Sequence, residues 1–246
     1  MIFRTSKRGG RHQSFTFVLI VFVLVLLLVG CSVFLRVTDI IVAGTEYYTP
    51  EEVIEASGLK TGTSLLTVNG SRTALKLTGE LLYVKEIRID RVFPGTVVIN
   101  VTECSASAYV RSNTDFWTLD NSGKVLEKVS NADTAGLYGI RGISRPVFDP
   151  GHFLTTETNA NVAESVSRVV TALEKTTVHY NARWIDFSDM GNITIDCGSV
   201  TVELGSLDRL EDKLLLADAA YTAENPQNGV IDVSSGDSAH YIPPHS

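Results

Sequence analysis

The chain has 246 residues, 44% of them apolar and 20% charged, and a formal net charge of -7. That balance excludes a disordered chain, and with 7 prolines and 19 glycines it also excludes a collagenous or low-complexity one. The first 35 residues hold four bases (Arg4, Lys7, Arg8, Arg11) and no acid, which leaves 17 bases against 28 acids from Arg36 onward. An acidic body without a basic block is poorly suited to phosphate backbones, so nucleic acid is not an expected partner.

Phe15 to Leu35 is a run of 21 uncharged residues dominated by Val, Leu, Ile and Phe. As a helix it spans roughly 32 Å, about the thickness of a bilayer's hydrocarbon core. Residues 1–14 then form a basic cytoplasmic tail, residues 15–35 a transmembrane helix, and the rest is exported by the positive-inside rule. A competing reading exists. Leu28-Val29-Gly30-Cys31 resembles a lipoprotein box, in which the chain is cut before Cys31 and that Cys is lipidated, giving an envelope binding or transport module. The apolar run continues past Cys31 through Val33-Phe34-Leu35, which favours an uncleaved anchor.

Beyond the anchor, Ile40-Ile41-Val42 predicts a strand ended by Gly44. Thr49-Pro50-Glu51-Glu52 predicts a helix start, with Thr as N-cap, Pro first and Glu third, and Gly58 predicts its end. A second helix is expected near Arg72 to Leu82, with Ala74, Leu75, Leu81 and Leu82 on one face. Ile87 and Ile89, then Val97, Ile99 and Val101, alternate with polar residues around Phe93-Pro94-Gly95, the pattern of a hairpin. The order β-α-α-β-β with one apolar sheet face requires the helices to cover that face, an α+β module over residues 36–104.

Residues 105–233 predict a second α+β domain, a mixed sheet with two helices. Strands are expected at Tyr109-Val110, Phe116 to Leu119, Val125 to Lys128, Ile140 to Ile143, Trp184 to Phe187, Ile193 to Cys197 and Val200 to Leu204. Helices are expected from Glu157 to Thr176 and after Ser206, the latter with Leu207, Leu210, Leu214 and Ala217 inward. Val230 to Val233 is the last strand, and residues 234–246 read as a flexible tail.

Several stretches in this order resemble the FtsQ/DivIB family of bacterial division proteins, whose first exported module is of the POTRA kind. They are Leu35 to Gly44, Thr49 to Ile54, Gly62 to Leu66, Arg91 to Thr96, Val101 to Glu103, Trp117 to Leu126 and Gly229 to Val233. The sequence departs from the family pattern in lacking a Pro before the hairpin, at Leu82-Tyr83-Val84, and in having Cys104 where an Arg usually follows the Glu. The resemblance implies a non-enzymatic, single-pass membrane protein at the division septum. It would recruit or stabilise small bitopic coiled-coil proteins of the FtsB/DivIC and FtsL type and help control septal wall synthesis.

Catalytic patterns are missing from the sequence. The five histidines form no H-E-x-x-H, the cysteines have no zinc spacing, and G-x-S-x-G and P-loop motifs do not occur. No catalytic residue, metal, cofactor or small-molecule substrate is therefore expected. Asp186, Asp189 and Asp196 read as turn acids, Trp117 and Trp184 as core aromatics with surface anchoring of a partner as the alternative, and Cys104 and Cys197 as buried thiols, with a bond between them left open. The candidate partner site is Val230, Ile231, Asp232 and Val233, taken as a strand beside Val200 to Leu204 whose free edge accepts a partner's strand.

Overall fold

The computed structural model describes residues 10–130, 134–157, 161–224 and 226–244. Its first element is helix α1 (Gly10–Phe34), in which every described side chain from Thr16 to Leu26 is exposed. Among the described residues no helix is long and apolar enough to cross a membrane. Arg4, Lys7 and Arg8 lie outside the described residues, as do the side chains of Arg11 and Cys31.

The chain divides into two compact units. The first takes residues up to 78 together with 84–103, the second residues 79–83 and 104–246. The first unit contains β1 (Asp39–Ala43), α2 (Pro50–Ser57), α3 (Gly70–Glu80), β2 (Val84–Val92) and β3 (Thr96–Glu103). The sheet order is β1-β3-β2, β1 running parallel to β3 and β2 antiparallel. Thr49 and Glu52 form the expected capping box on α2, and Gly58 ends it in the left-handed conformation. Val53, Leu65, Leu77, Val84, Val97 and Ile99 fill the core.

The second helix departs from expectation in phase. Asn69 accepts the Arg72 amide at 3.0 Å and starts α3 earlier, so the buried line runs through Leu77 and Leu81 while Leu75 is 77% exposed. Asn69-Gly70-Ser71, a glycosylation triplet by sequence, is thus a helix start.

The second unit holds β4 (Ala106–Ser112), β5 (Asp115–Asp120), β6 (Val125–Val129), β7 (Tyr138–Arg141), the short pair β8 (Pro146–Val147) and β9 (Thr155–Thr156), and α4 (Val162–Leu173). After these come β10 (Trp184–Asp186), β11 (Ile193–Asp196), β12 (Val200–Gly205), α5 (Leu210–Glu224), β13 (Gly229–Asp232) and β14 (His240–Ile242). Nine of these strands make one mixed sheet in the order β14-β13-β12-β11-β10-β7-β4-β5-β6. Val166, Val169 and Leu173 of α4 and Leu210, Leu214 and Ala217 of α5 pack with Ile140, Ile185, Ile195, Val202 and Ile231 from one sheet face.

Helix α4 is shorter than the expected Glu157 to Thr176, and residues 158–160 lie outside the described ones. Strand β7 starts two residues before its expected position and stops at Arg141. Gly142 follows with φ +82, where an added Cβ would lie 2.1 Å from the Ser188 nitrogen, so the chain must turn there. The supposed flexible tail is also ordered in part, since β14 pairs with β13.

Candidate functional site

The expected partner strand is not the sheet's edge. Strand β13 has β12 on one side, as foreseen for Val200 to Leu204, but β14 on the other. The pairs are Val230↔Ile242, Ile231↔Tyr241 and Asp232↔His240. Gly229 permits this: a Cβ there would lie 2.5 Å from the Ile242 carbonyl oxygen and 3.0 Å from the Tyr241 ring. The Tyr241 hydroxyl then donates to the Asn228 carbonyl at 2.7 Å, closing the turn from the far side.

Backbone parity fixes which groups face outward. The amides of Gly229 and Val233 donate to the Ser199 and Glu203 carbonyls of the β12 side at 3.1 and 3.0 Å. Ile231 shares their parity, so Val230 and Asp232 turn their polar groups toward β14. His240 and Ile242 answer them, and Tyr241 points its N–H and C=O away from the sheet. Pro243 has the same outward parity and has no N–H to offer. At the opposite end of the sheet, β6 is partly covered: the Val125 amide donates to the His152 carbonyl and the Gly151 amide to the Val125 carbonyl, both at 2.8 Å.

The surroundings of β14 are acidic and partly apolar. Asp232 is held below the usual carboxylate range by hydrogen bonds from Ser234, whose amide donates at 2.9 Å, against a smaller opposing effect of burial. Arg209 clasps Asp237 at 2.7 Å and Asp212 at 3.3 Å. Lys213 is buried and donates to the Ser206 carbonyl at 2.9 Å. Next to this clasp lies a groove of about 340 Å³ lined by Arg209, Asp212, Leu215, Leu216, Gly236 and Asp237.

The other sequence candidates are dispersed. Asp186 meets Arg141 at 2.7 Å and caps the Ser188 amide, while Asp189 and Asp196 cap the Gly191 and Gly198 amides. Burial opposes ionisation of Asp186, but Ser188 and Arg141 together hold its carboxyl below the ordinary value. No three His, Cys, Asp or Glu side chains converge as a metal site among the described residues. Trp117 stacks on Phe148 at 5.2 Å beside the core, whereas Trp184 lies over Gly139 and against Tyr109 on the opposite sheet face. Cys104 and Cys197 are free thiols, and burial pushes Cys197 up to about 12, far from nucleophilic use.

Sequence reasoning missed Glu103 as a fastening. Its carboxylate accepts the amides of Glu46 and Tyr47 at 2.9 Å each and of Tyr48 at 3.2 Å, tying the β1–α2 loop to the end of β3. The residue lay within a recognised stretch, but its partners sit more than fifty residues upstream and leave no local signal.

A β-α-α-β-β module of the POTRA kind is followed by a helix-backed mixed sheet whose last strand is β14. Residues 35–103 match the family model for the FtsQ-type POTRA domain. The chain is 29% identical over 170 residues to the cell division protein DivIB of Brevibacillus brevis, covering 68% of this chain and 60% of that one. It is 22% identical over 164 residues to DivIB of Clostridium tetani (67% and 61%). With the cell division protein FtsQ of Streptomyces bingchenggensis it shares 31% identity over 106 residues (43% and 40%). The matches thus span about three fifths of the two DivIB proteins' length. Together these findings support the FtsQ/DivIB family, to which the sequence motifs also point.

Proposed function

We propose that the chain is a non-catalytic, membrane-anchored scaffold of the division machinery that binds small bitopic coiled-coil partners of the FtsB/DivIC and FtsL type. In this reading α1 is the anchor, with its N-terminus in the cytoplasm, the two units are extracytoplasmic at the septum, and partner binding helps control septal wall synthesis. The FtsQ-type module and the names of the relatives support the division role, and the uncharged apolar run from Phe15 to Leu35 supports the anchor. The observation that carries the binding mechanism is the β14 edge, where the outward N–H and C=O of Tyr241 can be completed by a partner's strand. Confinement to a membrane raises the effective concentration of such partners, so a short edge can suffice.

Proline tests this cleanly at Tyr241, because its amide serves no bond within the sheet. Tyr241→Ala removes the side chain and keeps the amide; Tyr241→Pro removes both. Co-purification of the full chain from membranes with its bitopic partners should survive Tyr241→Ala in good part and fall at least about tenfold further in Tyr241→Pro, the effect of losing roughly one or two hydrogen bonds. Equal retention by the two variants would overturn recruitment through this edge.

A further inference from the structure

We propose that the segment docking on the β14 edge is basic: an extended chain that alternates apolar side chains with lysine or arginine. The proposal rests on the edge reading above and adds the chemistry of the partner. Three observations carry it.

The first is the charge of the C-terminal stretch that carries the edge. From Ser206 to Ser246 the sequence holds seven acids (Asp208, Glu211, Asp212, Asp218, Glu224, Asp232, Asp237) and two bases. Neither base is available to an incoming acid, since Arg209 is bound by Asp212 and Asp237 and Lys213 is buried on the Ser206 carbonyl.

The second is sheet register. On the face turned away from α5, the strand pairings put His240, Asp232 and Glu203 in one row running inward from the edge. A strand added beyond β14 lies about 10 Å from β13 at ordinary strand spacing. Lysine and arginine have the length to lie across His240 toward Asp232, and their stems cover apolar surface on the way.

The third is the opposite face. There the ring of Tyr241, paired with Ile231 and packed against the core, lies on the edge strand itself, so the alternate side chains of an added strand meet an aromatic surface. An edge with an aromatic ring on one face and a row holding two carboxylates on the other selects its partner by charge as well as by main-chain pairing.

The test uses two synthetic peptides, one alternating valine with lysine and one alternating valine with glutamate. Their binding to the full-length protein in detergent is followed by fluorescence anisotropy at low and high salt. The lysine peptide should bind, weaken several-fold as salt rises, and lose binding in Tyr241→Pro relative to Tyr241→Ala. The near-isosteric Asp232→Asn and Glu203→Gln should each weaken it several-fold, with circular dichroism confirming the fold. Binding of the glutamate peptide as well as or better than the lysine peptide would overturn the charge assignment and leave the edge reading standing. Lysine-peptide binding that is indifferent to Tyr241→Pro would place the contact elsewhere and overturn the proposal. If neither peptide binds, the proposal and the edge reading fall together.

Discussion

Glu103 shows how one side chain can hold a loop that is remote in sequence. Its three amide partners belong to consecutive residues, Glu46 to Tyr48, so the carboxylate acts as a fixed counter-charge to a turn of backbone. Glu103→Ala should therefore lower stability by about 2 kcal/mol, the cost of leaving charge-assisted bonds unmade. Exposed Thr102, one residue earlier, should accept Ala within about 0.5 kcal/mol. Thermal melting of both variants checks this, and equal midpoints would contradict it. Local rules made the α2 cap legible because Thr49, Pro50, Glu52 and Gly58 carry the signal within ten residues of chain. The phase of α3 was not legible: Leu75 and Leu77 are equally apolar, and only the start at Asn69 decides which one faces the sheet.

At the scale of elements, the terminal strands show what alternation does and does not reveal. Val230-Ile231-Asp232-Val233 announced β13, and the helix before it placed it beside β12. Strand β14 left no such trace, being three residues long between a Ser-rich turn and a pair of prolines. It exists because β13 offers a row of polar backbone groups and Gly229 lets the returning chain approach closely. Most of the sheet was readable from period-two patterning; the location of the free edge depends on this one short pairing. The same parity makes a prediction. Ile231→Pro breaks a bond to β12 and Asp232→Pro a bond to β14, so both should destabilise the second unit, by about 3 kcal/mol or more in the buried first case and less in the second. Tyr241→Pro should melt close to Tyr241→Ala. Calorimetry of the four variants distinguishes them, and an undisturbed Ile231→Pro would refute the assigned pairing.

At the scale of the whole molecule, the reading of an exported body behind a basic tail makes a claim about orientation. A reporter fused after Ser246 should be active only if it works outside the cytoplasm; activity confined to a cytoplasmic reporter would contradict the anchor as oriented here. Each compact unit has its own sheet and core, and the motifs that carried the family resemblance fall in both. The resemblance by itself did not supply the acid of the C-terminal stretch or the strand that covers β13. The central claim, that a partner completes the sheet at β14, concerns a single amide. Residue-resolved hydrogen exchange of the full chain, alone and with its co-purified partner, measures it directly. The Tyr241 amide should exchange rapidly in the free protein and slow by at least about tenfold in the complex, the change expected for one newly formed strand bond. An amide that stays fast while the partner remains bound would contradict strand addition at this edge.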